Sequence, residues 1–213
     1  MFVLASSSKA RQKLLDQIAL KYTVVVSDFV EENIKELDPC LKVKSLARGK
    51  ALSALEKLIN NKENQPLFNF KALIACDSLF EFEGEIFGKP FDKEQLVSRW
   101  QRMSGQSGLL HTGHCLLSIE DLKEDAKDIN PKRFYEGVVT TKIEFMSLSN
   151  VEIIKYASIS EPYNCAGGFA IEGNGGLFIK KIDGCFSNVI GLSLPWLKNK
   201  LEQLGLVELL LDA

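Results

Sequence analysis

Histidine is scarce and cysteine is scattered in this chain. There are 2 histidines and 5 cysteines, and Cys40, Cys76, Cys115, Cys165 and Cys185 form no C-x-x-C pair. A structural zinc site needs clustered ligands and a disulfide framework needs partnered cysteines, so the sequence supports neither. Reduced thiols in a cytoplasmic protein are the expectation. Long hydrophobic runs are also missing: the opening has no basic n-region, its apolar run stops at Ala5, and nothing approaches the ~18 apolar residues of a membrane helix. Secretion and membrane insertion are therefore not expected. Charge of one sign is lacking as well, since a net charge of −2 gives no general attraction to nucleic acid or anionic membrane. At 213 residues the chain is long enough for one well-buried core or two small lobes. With no repeat and no low-complexity linker, residues 1–213 read as a single domain.

The pattern that is present alternates between strand and helix, which is α/β material. Strands are expected near 2–5 and 22–27, and helices near 8–18 and 42–59. In the second helix Leu46, Ala51, Leu55 and Leu58 recur at helical spacing. A polar loop at 60–66 precedes an apolar strand, Ala72 to Cys76, that ends at Asp77. A helix near 92–103 stops at Gly105, and 109–119 and 138–148 read as paired strands. The charged segment between them, from Glu120 to Asp128, reads as a solvated surface excursion. A short helix near 150–158, a turn-rich block at 161–175, a hairpin-like stretch at 176–184 and a helix from about 195 to 204 complete the chain.

Several residues are of types that carry chemistry. Ser6, Ser7 and Ser8 lie between the first strand and a basic helix containing Lys9 and Arg11. A helix capped by Ser8 presents unpaired N–H groups and a positive dipole end, which suits a phosphate, although three serines there also make an ordinary capping turn. Asp77 follows five apolar residues at the expected carboxyl end of a strand, where ligands bind in open α/β sheets, and an Asx-turn is the plainer alternative. Glu31 and Glu32 suit a hard cation together with Asp77, or a solvated turn. Lys50 can extend an ammonium over small neighbours or be an ordinary surface lysine, and Gly88-Lys89-Pro90 presents a lysine from a stiffened loop or makes a plain β-turn. His111 and His114 read as structural histidines. The glycine-rich block from Glu161 to Gly176, with Glu172 inside it, suits close backbone approach to a flat ligand or a plain connection between strands.

In order along the chain, these segments resemble the Maf family of nucleoside triphosphate pyrophosphatases. The shared residues are Leu4-Ala5-Ser6-x-Ser8-x-x-Arg11 followed by Leu14-Leu15, Leu46-Ala47-x-x-Lys50-Ala51, Asp77, Gly88-Lys89-Pro90, Met103-Ser104-Gly105 with His111-Thr112-Gly113, Glu161-Pro162, Ala166-Gly167, Glu172-Gly173, and Asp183-Gly184 with Asn188-Val189-x-Gly191-Leu192. So many motifs in order cover almost the whole chain.

The resemblance implies a Maf/ITPase-like elongated α/β fold with a bent mixed β-sheet and a cleft between two lobes. It implies a cytoplasmic, metal-dependent enzyme, commonly a homodimer, that cleaves a nucleoside triphosphate between the α and β phosphates. Asp77 matches the proton acceptor, and Ser8, Arg11, Lys50 and Lys89 match the residues on the phosphate side. Glu31 and Asp77 are the metal candidates for Mg²⁺ or Mn²⁺. Asp77 as base, as metal ligand or as both stays open at this level. Two departures stand out: Val30 replaces the first of a usual acidic pair, and Ala10 replaces a bulky residue associated with base selection. Asn164-Cys165 and Glu172 look like the 7-methylguanosine triphosphate branch rather than the uridine and thymidine branch, whose glutamine is here Glu172. The competing readings are a nucleotide-binding regulator of cell division and septum formation that acts without turnover, and an inosine triphosphatase-like housekeeping enzyme.

Overall fold

The computed structural model describes residues 1–60, 70–119 and 134–210. The expected polar loop at 60–66, beyond Asn60, and the charged excursion after residue 119 lie outside the described residues. The elements in chain order are β1 (Phe2–Leu4), α1 (Lys9–Gln17), β2 (Tyr22–Val24), α2 (Pro39–Asn60), β3 (Ala72–Phe82), β4 (Glu85–Phe87), α3 (Lys93–Met103), β5 (Ser107–Ser118), β6 (Phe134–Phe145), α4 (Asn150–Tyr156), β7 (Ile179–Asp183), α5 (Phe186–Ile190) and α6 (Leu194–Gln203), joined by several short 3-10 turns. One mixed sheet runs β2-β1-β3-β5-β6-β7, with β4 attached to β3. β1 is parallel to both β2 and β3, whereas β4 and β7 run antiparallel to β3 and β6.

The chain divides into two compact units, and β3, β5 and β6 each contribute residues to both. The first unit comprises Met1–Asp77, Gly113–Val138 and Leu194–Ala213. Its core packs the small-residue face of α2 (Ala47, Ala51, Ala54, Leu55) on Val3, Ala5, Leu73, Ala75, Cys115 and Leu117. Burying this apolar surface is the main favourable term for the unit. α2 begins at Pro39, earlier than its apolar periodicity suggests. Asp38 accepts from the Leu41 N–H at 2.8 Å, and proline sits at the first helical position, where no N–H is needed. The helix lies very close to β5: a Cβ on Gly113 would come within 2.0 Å of the Val43 carbonyl oxygen.

The second unit comprises Ser78–Thr112 and Val139–Ser193. Its core is aromatic, with Phe80, Trp100, Phe145, Tyr156, Phe169 and Phe178 meeting edge to face at centroid separations of 5.2–5.8 Å. The Trp100 indole also donates to the Gly168 carbonyl at 3.0 Å.

Two local expectations are corrected. β3 does not end at Asp77 but continues to Phe82, because beyond Asp77 the buried Phe80 and Phe82 alternate with partly exposed residues and pair with β4. The turn between β3 and β4 uses Glu83 and Gly84, both with positive φ (52° and 79°), the backbone of a tight hairpin. The stretch 176–184 is not a hairpin. Residues 174–178 form a 3-10 turn, and only Ile179–Asp183 is a strand, paired with β6. The short elements β4 and α5 carry no expectation from the sequence, since three and five residues show almost no periodicity.

Candidate active site

In the first unit the site is built on the turn from β1 into α1. Ser8 is the N-cap of α1, with extended backbone (φ −63°, ψ 117°), and its hydroxyl accepts from the Arg11 N–H at 3.4 Å. Ser6, buried beneath it, accepts from the Ser8 N–H and from Arg11 Nη1, both at 3.2 Å. Ser6 thus aims the guanidinium, a role the sequence reading did not assign. Its only trace there was the hydroxyl in the strand-to-helix turn.

Lys50 and Asp77 meet although 27 residues separate them. Lys50 Nζ makes an ion pair with Asp77 Oδ1 and a second with Glu31 Oε1 at 2.8 Å. α2 supplies the lysine, β3 the aspartate, and the 3-10 turn Glu31–Asn33 the glutamate. Asp77 is 8% exposed, so its charge has few water contacts. Burial pushes its carboxyl above the ordinary aspartate range, against the opposing pull of Lys50 and Arg11. Burial by itself would lower the Lys50 ammonium, but Asp77 and Glu31 outweigh it and hold the group above its usual value. The neighbouring Cys76 thiol is fully buried and pushed up to about 12, so it is not a nucleophile. The arrangement can bind an anion with Arg11, Lys50 and the α1 N-terminus, and it keeps one dry carboxylate available to take a proton.

Among the described residues no group of three or more His, Cys, Asp or Glu side chains could hold a metal. Glu31 and Asp77 nevertheless converge on one cation, the Lys50 ammonium. One or two carboxylates are the usual protein share for Mg²⁺, whose remaining positions go to water and substrate phosphates. The donor set therefore fits a cation carried in with a triphosphate and does not form a closed protein cage. Val30 precedes Glu31 as the cap of its turn and supplies no donor there.

The other candidates, Lys89 and Glu172, lie in the second unit, and both are exposed. The loop carrying Lys89 is held by Arg99, whose Nη1 donates to the Gly88 carbonyl at 2.8 Å, and by the buried Pro90. The charges of both residues act on one thiol. Cys165 is pushed up to about 11, chiefly by burial and then by Glu172 and Glu161, while Lys89 pulls it down. Glu161 matters structurally too: its carboxylate collects three hydrogen bonds from Asn174 and Gly175. The sequence reading gave it only as part of a motif. His111 bonds Thr140 and Glu81 through its two ring nitrogens, at 2.9 Å each, and His114 stacks on Trp196 at 4.7 Å. Both are placed as packing residues.

The sequence pattern of the family described as Maf-like protein matches residues 1–204. The chain is 72% identical over 212 residues to a nucleoside triphosphate pyrophosphatase of Prochlorococcus marinus (strain NATL2A), covering 100% of both chains. It is 46% identical to the protein of the same description in Prochlorococcus marinus (strain MIT 9303), covering 93% of this chain and 96% of that one. It is 43% identical to one in Synechococcus sp. (strain CC9311), covering 95% and 99%.

Proposed function

The chain belongs to the Maf-like protein family, and from that premise we propose that it is a nucleoside triphosphate pyrophosphatase, a hydrolase acting on acid anhydrides. The observation that carries the reading is the buried Asp77 carboxylate held against Lys50 in the unit that also presents Arg11 and the Ser8-capped helix end. A protein that only bound nucleotides would need the cations but not the carboxylate.

In this reading a water attacks the α-phosphorus, and the bond from that phosphorus to the α,β-bridging oxygen breaks. The nucleoside monophosphate and pyrophosphate leave. Asp77 accepts the proton of the attacking water, and its raised pKa makes it a better base than an ordinary aspartate. Arg11 clamps phosphoryl oxygens in bidentate fashion, while Lys50, released from Glu31, follows the charge that builds on the leaving group. Ser8 and the α1 N–H groups take a further oxygen. Glu31 and Asp77 would hold the divalent cation, Mg²⁺ or Mn²⁺. Such a cation acidifies water and screens the triphosphate. Lys89 and Glu172 are proposed as substrate-binding residues on the strength of their motif positions.

Glu172 is proposed as the residue that reads the base. An ionised carboxylate accepts but does not donate, so it suits the N1–H and N2–H₂ edge of guanine and opposes the O4 acceptor of uracil or thymine. The substrate class is therefore guanine-type, including 7-methyl-GTP. No helix among the described residues is long and apolar enough to cross a membrane, and a cytoplasmic homodimer completes the proposal. The test is pyrophosphate release from a panel of standard and modified nucleoside triphosphates with Mg²⁺ or Mn²⁺. Release of orthophosphate, or binding without turnover on every substrate, would overturn it.

A further inference from the structure

Glu161 opens the 3-10 turn Glu161–Asn164, and its carboxylate faces the segment that directly follows Glu172. Oε2 accepts from the Asn174 backbone N–H and from Asn174 Nδ2, both at 3.2 Å, and Oε1 accepts from the Gly175 N–H at 3.2 Å. A Cβ on Gly173 would stand only 2.3–2.6 Å from the Glu161 carboxyl atoms. What a side chain at Gly173 would meet is the Glu161 carboxylate itself, so glycine leaves the space that carboxylate occupies. On the other flank of Glu172, Tyr156 Oη accepts from the Ala170 N–H at 3.4 Å. Glu172 itself is exposed, carried on a turn pinned at both ends.

We infer that Glu161 is a positioning residue for base selection, fixing residues 173–175 so that Glu172 is presented in one orientation. The inference rests on the reading of Glu172 as the base reader. Three donors on one partly buried carboxylate, two of them backbone groups, hold the turn more firmly than solvent would. Orientation matters because discrimination by a polar group depends on its alignment with the base edge. Glutamine at 161 keeps the length of the side chain but turns an N–H₂ group toward one of these donors, so at least one bond is lost.

The experiment compares kcat/KM for GTP and UTP in the intact enzyme and in Glu161→Gln, Gly173→Ala, Glu172→Gln and the double variant Glu161→Gln/Glu172→Gln. Gly173→Ala reaches the same contact from the other side, pushing the carboxylate away while leaving Glu161 in place. Glu161→Gln and Gly173→Ala are each expected to lower the GTP-to-UTP ratio by about fivefold or more, mostly through KM for GTP. On the Glu172→Gln background, Glu161→Gln should move the ratio by less than about twofold, because residues acting through one contact are non-additive. A shifted ratio in Glu172→Gln with no shift in Glu161→Gln and Gly173→Ala overturns the inference and leaves Glu172 as reader. An undiminished Glu161→Gln effect on that background, or a uniform loss of kcat on both substrates, also overturns it. An unchanged ratio in Glu172→Gln instead refutes the base-reading assignment, and the inference falls with it.

Discussion

Replacing Lys50 by methionine removes the ammonium and keeps an apolar stem of similar length, so the substitution isolates the charge. The lysine side chain is 16% exposed and that of Asp77 is 11%, so the pair is largely dry and the loss strands a carboxylate. Breaking one partner of a buried pair costs about 3–5 kcal/mol when the other stays charged. Asp77 has an alternative, since burial already pushes its pKa up, and without Lys50 it rises further and the group takes up a proton. A group whose folded pKa is raised above its unfolded value favours the fold in its protonated form, so the variant recovers stability as pH falls through that raised value. Urea unfolding of Lys50→Met should therefore show a loss of about 3 kcal/mol at pH 8 that shrinks by at least about 1 kcal/mol at pH 5. Adding Asp77→Asn removes the stranded charge, and the double variant should be more stable at pH 8 than Lys50→Met alone. A loss below about 0.5 kcal/mol, or a double variant no better than the single one, would refute the account of a buried pair.

Asp77→Asn alone should retain nucleotide binding by isothermal titration and lose at least ~100-fold in kcat, the scale for removing a general base. The acid limb of kcat/KM should lie above the ~3.9 of an ordinary aspartate, activity rising with pH as the buried carboxyl ionises, and a limb at or below that value would contradict the upward shift that burial imposes. Arg11→Ala should weaken triphosphate binding by ~1.5–3 kcal/mol while leaving nucleoside binding unchanged, and Ser6→Ala, which removes one partner of the guanidinium and one of the Ser8 N–H but keeps the charge, should cost less. Equal losses for triphosphate and nucleoside would mean that the turn had collapsed.

The parts of the site legible in the sequence were those with local signals. The Ser8 cap follows from a hydroxyl just before a helical pattern, and the interior of α2 from its apolar spacing. The sequence places Asp77 at the end of a strand, whereas it stands within a long strand whose second half belongs to another core. The ion pairs of Lys50 join α2 to β3 and to the turn at Glu31 and depend on tertiary approach, which no periodicity records. The same holds for Ser6 under Arg11 and for Glu161 under the 173–175 turn: each is a polar residue whose partner is chosen by the fold.

The close approach at Gly113 bears on how sequence changes in this chain should be interpreted. Lys50 sits seven residues beyond Val43 on α2, about two turns along the same rod. The gap between that rod and β5 is set where Gly113 has no side chain, since a Cβ there would stand 2.0 Å from the Val43 carbonyl oxygen. Even a methyl group must shift the helix, and the ammonium travels with it while Asp77 stays in the sheet. Gly113 thus works as a spacer gauge for a charge it never touches. In a mutational scan it would score as an essential site residue although it has no chemistry of its own, and a compensating change would be sought along α2 rather than among the charged side chains.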